Sequence, residues 1–138
     1  MLVELKRLND AFHFEAKSEN GNTVQIDASP AIGGQNLGAR PMELLLMGLG
    51  GCSAIDIINI LKKQRVEVKD FAIRINGERE PEAVPSLFKD IHITFIVQGP
   101  IDKVKVEKAI DLSLDKYCSV AKTLESTAKI TYSLEITN

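Results

Sequence analysis

The chain of 138 residues has two cysteines, two histidines and no tryptophan. Two cysteines are too few to frame a small disulfide-stapled domain. In a reducing compartment they stay as thiols at rest, so a disulfide between them would be transient and functional. Cys52 and Cys118 stand far apart in sequence, which rules out a CxxC redox motif and a zinc knuckle. His13 and His92 each sit alone within strand-like runs, remote in sequence from either cysteine, so no metal site and no cofactor is expected. An excess of one charge is also missing. Lys plus Arg number 17 against 19 Asp plus Glu, a net charge of −2, and this leaves no basic footprint for nucleic acid or an anionic membrane. The opening MLVELKRLND lacks the apolar core of a signal peptide. The longest apolar run is interrupted by Glu43, Asp56 and Asn59, which argues against a membrane span. A soluble, cytoplasmic protein is expected. No GxGxxG, P-loop or GxSxG occurs, so dinucleotide binding, phosphoryl transfer and α/β-hydrolase chemistry find no support.

What the chain does have is one long apolar segment, residues 41–65, PMELLLMGLGGCSAIDIINILKKQR. Pro41 suits the first position of a helix, where a missing N–H costs nothing, and Lys62, Lys63 and Arg65 lie at the end that favours cations. Nearly every residue from Leu44 to Leu61 is apolar, so the helix is expected to be buried on most of its circumference. Asp56, Asn59 and Lys63 mark the one face left for water or a partner. Gly48, Gly50 and Gly51 run straight into Cys52, and each glycine weakens a helix by roughly 1 kcal/mol relative to alanine. They imply either close packing of a second backbone or an opening through which something reaches the sulfur. A helix loosened there would place free N–H groups near Cys52 and favour a thiolate. The plainer alternative is a small apolar cysteine at a tight helix crossing.

Around that helix the patterns are mostly of period two. Residues 2–8, 12–17 and 23–28 read as three short strands of an antiparallel meander, and Asn20-Gly21 signals a type I′ hairpin with positive φ at both central residues. Residues 29–40, SPAIGGQNLGAR, form a glycine-rich loop into the helix. Downstream, 67–78 and 89–98 alternate as strands, 102–117 carries helical spacing with Asp102 as N-cap, Cys118 opens a short second helical piece, and 128–137 alternates again. The order is βββ, long helix, ββ, helix, short helix, β. One α+β domain spanning 1–138 is expected. A helix apolar nearly all round needs more cover than six short strands and one other helix supply, and a twofold homodimer would provide it.

By elimination the chemistry rests on the thiol pair, one cysteine attacking and the other resolving if the fold brings them together. At these residues the chain resembles the OsmC/Ohr family (osmotically induced protein and organic hydroperoxide resistance protein). PMELLLMGLGGCSAIDIINILKKQR carries the P-x-E-L-x-x-x-x-x-G-x-C pattern, and YCSVAKTL with a closing alternating strand follows in the right order. The resemblance covers essentially the whole chain. It implies an intertwined α+β homodimer with the long helix buried within it and two sites at the subunit interface.

The resemblance further implies a thiol peroxidase. Cys52 would attack the O–O bond of an organic hydroperoxide (or hydrogen peroxide) and become a sulfenic acid. Cys118 would condense with it to a disulfide, reopened by a dithiol reductant such as a lipoylated protein. Family peroxidases also pair an N-terminal arginine with a glutamate ten residues before the cysteine; Met42 stands at that position and Glu43 one place later. On a straight helix Glu43 points about half a turn away from Cys52. Arg40 and Arg7 are the arginines nearest the expected place, and His92, Lys116 and Lys122 are other sources of positive charge. Ser119 replaces the proline that often follows the second cysteine. These departures motivate an alternative, a non-catalytic protein of the same family that binds an apolar small molecule at the dimer interface. Two purely structural cysteines are a third reading.

Overall fold

A computed structural model describes residues 1–138 as two compact units, Met1–Leu45 and Leu46–Asn138. The first unit is the expected meander. Strands β1 (Val3–Arg7), β2 (Phe14–Ser18) and β3 (Thr23–Ile26) pair antiparallel in sequence order, with Leu5 opposite Ala16 and Ala16 opposite Val24. The β2–β3 turn differs from the type I′ expectation. Only Gly21 has positive φ, Gly21 N–H donates to Ser18 O at 3.0 Å, and Ser18 N–H donates to Asn22 O at 2.9 Å. The lone left-handed glycine closes a three-residue loop with a bulge, so Asn20 need not enter the left-handed region.

The loop after β3 folds back on that strand. Ile26 bridges Ala39, and the Asp27 carboxylate accepts from the N–H groups of Ala28, Gln35 and Leu37 at 2.7, 3.0 and 3.1 Å. Backbones approach so closely here that a Cβ on Gly34 would lie 1.8 Å from Ala28 O. Helix α1 (Pro41–Lys63) follows, with proline first as expected. Glu43 Oε1 accepts from Arg40 N–H at 2.7 Å, the reach-back half of a capping box. The far end of α1 closes with Arg65 in the left-handed region, Val66 N–H donating to Leu61 O and Arg65 N–H to Lys62 O.

The second unit holds the remainder of α1, a mixed sheet and the C-terminal helices. Strand β5 (Phe88–Gln98) is central, antiparallel to β4 (Asp70–Arg79) and parallel to β6 (Lys129–Thr137). Parallel neighbours need a crossover, and α2 (Lys103–Leu112), a π-turn (Ser113–Tyr117) and α3 (Ser119–Leu124) supply it. Asp102 is the N-cap of α2, its side chain accepting from Val104 N–H at 2.9 Å. The expected continuous helix over 102–117 gives way at Ser113: Cys118 N–H donates to Ser113 O at 2.7 Å, an i→i+5 bond that widens the last turn.

Phe88, Ile91, Ile93, Phe95 and Val97 are the buried face of β5, and Leu49, Ile57 and Leu61 of α1 with Val106, Ala109 and Ile110 of α2 complete the core. Of the three glycines on α1, Gly50 packs tightest: a Cβ there would sit 2.9 Å from Ile75 Cδ1. Two expectations for α1 are corrected. The helix runs unbroken through its glycines, so no loosened turn frees N–H groups beside Cys52. Nor is it buried on most of its circumference within one chain: Met47, Ile55 and Ile58 are 58%, 71% and 45% exposed. The buried stripe Leu49-Ser53-Ile57-Leu61 repeats every four residues and covers only one side.

Candidate functional site

The four-residue helical spacing that builds the core stripe also places Cys52 and Asp56 on one face, one turn apart. Cys118 reaches the same spot from the other end of the second unit. The π-turn delivers it to the N-cap of α3, where its sulfur accepts from Ala121 N–H at 3.4 Å. The two sulfurs and an Asp56 carboxylate oxygen all lie within 4.8 Å of one another. Both cysteines are free thiols; Cys118 is fully buried and Cys52 half-buried. Sequence separation therefore hid a three-residue cluster.

Asp56 differs from its sequence reading. It is half-buried, turned toward the thiols, and its Oδ2 accepts a 3.1 Å hydrogen bond from the buried Ser113 hydroxyl, while Asn59 and Lys63 stay exposed. No Lys, Arg or His lies within 4.0 Å of its carboxylate; the two ion pairs of the chain are Lys103–Glu107 and Lys122–Glu125. Burial pushes the Cys118 thiol up to about 11. The Ala121 N–H works against this, and the neighbouring Cys52 and Asp56 add to it. Cys118 is thus a neutral thiol at physiological pH, held against an anion. Neither Asp56 nor Ser113 stands out in the sequence as a site residue. The signal for Asp56 was its spacing of four from Cys52 on a helix; for Ser113 there was none.

The remaining candidates have local structural partners. Glu43 caps α1 through Arg40 N–H, and Arg40 Nη1 donates to Gly38 O at 3.1 Å with a further bond to Asn36. Arg7 ties the β1–β2 connection, its Nε donating to Ala11 O at 3.0 Å. His92 is bonded to Thr131 Oγ1 and Ser133 Oγ on β6, at 2.7 and 2.6 Å. Lys122 pairs with Glu125, and Lys116 lies 5.4 Å from the centre of the Tyr117 ring. Each of these side chains thus has a partner of its own.

The arrangement offers two near-contact thiols, one reachable from solvent and one buried, which is the disposition a transient disulfide needs. It also offers three donor atoms of the types that bind soft and borderline metals.

Comparison with known proteins identifies relatives of the whole chain. A family model described as OsmC-like protein matches residues 33–133, a span that contains both cysteines and Asp56. Protein YhfA of Escherichia coli K12 is 41% identical over 124 residues, 89% of each chain. A crystal structure of a hypothetical protein from Aquifex aeolicus superposes with a TM-score of 0.81 at 34% identity, over 99% of this chain and 97% of that one. The organic hydroperoxide resistance protein OhrB of Bacillus subtilis shares the fold, with a TM-score of 0.65 at 21% identity over 97% and 96% of the two chains. The family-model match and the sequence identity lead to one assignment: the chain belongs to the OsmC/Ohr family of OsmC-like proteins.

Proposed function

We propose that the protein is a thiol-dependent peroxidase acting on organic hydroperoxides through Cys52 and Cys118, and that it works as a homodimer in a reducing compartment. The observation that carries the reading is the convergence of the two sulfurs within 4.8 Å from opposite ends of the second unit. Exposure supports this division of roles. Half-buried Cys52 is the sulfur a peroxide reaches, and fully buried Cys118 is shielded from it. Cys52 sulfur attacks the distal peroxide oxygen, the O–O bond breaks, and the alcohol leaves with the thiol proton. The sulfenic acid so formed condenses with the Cys118 thiol, forming the S–S bond and releasing water. An external dithiol, of the kind a lipoylated protein carries, returns two electrons and two protons by thiol–disulfide exchange.

Support for the dimer comes from what a single chain leaves uncovered. Met47, Ile55 and Ile58 lie along one side of α1, and Gly51 beside them has open space where a side chain would be. Leu5 and Val24, in one cross-strand row of the meander, are also exposed. A second copy covering such faces fits the prevalence of closed twofold dimers.

The test is a thiol titration of reduced, metal-free protein before and after one equivalent of cumene hydroperoxide, with intact mass. The expected result is rapid loss of both thiols and of two hydrogens per chain. Cys52→Ser abolishes the reaction, and Cys118→Ser leaves a sulfenic acid that dimedone traps. Two thiols that persist at unchanged mass across a panel of alkyl hydroperoxides overturn the proposal.

A further inference from the structure

The peroxide chemistry makes no use of Asp56, yet its carboxylate faces both thiols without a cationic partner within 4.0 Å. We propose that reduced Cys52, Asp56 and Cys118 form a binding site for a borderline-soft divalent cation of the zinc type. The inference does not depend on peroxidase activity.

Three features of the cluster support it. The first is spacing. Zinc binds thiolate sulfur at about 2.3 Å and carboxylate oxygen at about 2.0–2.2 Å, so ligands around a tetrahedral ion stand roughly 3.5–3.8 Å apart. Donor atoms already within 4.8 Å of one another need only small side-chain rotations to close on an ion. Two of them come from one face of a continuous helix, and the third from the N-cap residue of α3, whose N–H is held by Ser113 O.

The second is the outer layer. Metal-binding side chains are oriented by hydrogen bonds from groups behind them. Ser113 Oγ donates to Asp56 Oδ2 at 3.1 Å, and Ala121 N–H donates to Cys118 Sγ at 3.4 Å. Both donors favour negative charge on the atom they contact, which is the state a metal needs.

The third is charge. With the thiols ionised the cluster would carry three negative charges, and no lysine, arginine or histidine stands within 4.0 Å of the carboxylate to offset them. A divalent cation offsets them. Two sulfurs with one oxygen favour zinc over magnesium or calcium, which take oxygen ligands. Three protein ligands leave a fourth position, on the side where Cys52 is half-exposed, for water or a small ligand. Binding proceeds as two thiols and Zn²⁺ giving a dithiolate zinc site and two released protons. A metal-bound pair and a Cys52–Cys118 disulfide exclude each other, so the same residues would hold the ion only while reduced.

The experiment uses the full chain, reduced, stripped with chelator and kept anaerobic without peroxide. Cobalt(II) is added first, then zinc. The expected result is a near-ultraviolet sulfur-to-cobalt charge-transfer band with intense visible bands of tetrahedral cobalt. Both saturate at one ion per chain and are erased by one equivalent of zinc, with release of about two protons per ion. Cys118→Ser and Asp56→Asn each abolish the cobalt spectrum, and Ser113→Ala weakens binding roughly 10–100-fold. Should a variant fail to fold, wild-type protein decides the matter: bound zinc protects both cysteines from alkylation, as peptide mass mapping reads. Absence of the charge-transfer band, a spectrum unchanged by Asp56→Asn in folded protein, or equal alkylation with and without zinc overturns the site. Because no peroxide is present and the peroxide assay uses metal-free protein, either result stands apart from the other.

Discussion

The hydroxyl of Ser113, on the turn after α2, donates to the carboxylate of Asp56 on α1 across 3.1 Å, joining two helical segments 57 positions apart in sequence. The bond has a structural as well as a chemical consequence. Ser113 is fully buried, and a hydrogen bond to a charged group contributes more than one between neutral partners. Ser113→Ala is expected to cost about 1–2 kcal/mol, tempered by the partial solvent access of Asp56. Urea unfolding of reduced protein measures it. A midpoint equal to wild type would mean that water replaces the hydroxyl without loss.

Cys118 gives the fold a pH dependence at the alkaline end. Its thiol is raised from 9.0 to about 11, chiefly by burial, so the folded chain holds this proton more tightly than the unfolded one. The contribution is complete below about pH 9 and is lost as pH rises toward about 11. A shift of that size corresponds to roughly 2–3 kcal/mol across the window. Under reducing conditions, the stability difference between wild type and Cys118→Ala should narrow by that order from pH 8.5 upward. A constant difference would show that the thiol ionises in the fold as easily as outside it.

Asp27 acts in the opposite direction. Its carboxyl is 1% exposed, and burial alone would raise its pKa, but the N–H groups of Leu37, Gln35 and Ala28 outweigh that and hold it below the ordinary value. Stability from Asp27 is therefore present above the unfolded carboxyl range and lost as pH falls through the lower folded value. Asparagine keeps one acceptor and turns an NH₂ toward an N–H. Asp27→Asn should lower the urea midpoint near neutrality and lose less of it on acidification than wild type. Amide exchange at Gln35 and Leu37 should quicken in the variant. Unchanged exchange would refute the anchoring role of this side chain.

Strands and helices were legible because their signals are local. Ile91, Ile93, Phe95 and Val97 alternate in the sequence and fill the buried face of β5, while Pro41 and Asp102 mark helix starts where the structure has them. What escaped was set by distant partners. That β6 runs parallel to β5 follows from the crossover, which alternation at Ile130, Tyr132, Leu134 and Ile136 does not report. The break at Ser113 escaped because the apolar spacing of α2 continues through Leu114, and the i→i+5 bond to Cys118 leaves no mark in composition. Asp56 looked like a solvent-facing residue because nothing near it in sequence names Ser113 or Cys118. The thiol pair was legible as two rare residues, but their proximity came from family resemblance and is seen only in the fold.

Ile55 provides the decisive test of assembly. It is 71% exposed in the single chain, on the same side of α1 as Met47 and Ile58, one turn beyond the open space at Gly51. If that side faces a second copy, Ile55→Glu buries a carboxylate with no partner, at a cost of roughly 3–5 kcal/mol. The expected outcome is a dimer in wild type and a monomer for Ile55→Glu at micromolar concentration, read by sedimentation equilibrium. Ile55→Gln, polar but uncharged, should weaken the dimer less. Because Ile55 lies outside the core stripe of Leu49, Ile57 and Leu61, the monomer should keep its helical signal and its two thiols. A wild-type monomer, or a dimer indifferent to the glutamate, would remove α1 from the interface and leave its apolar side to some other partner.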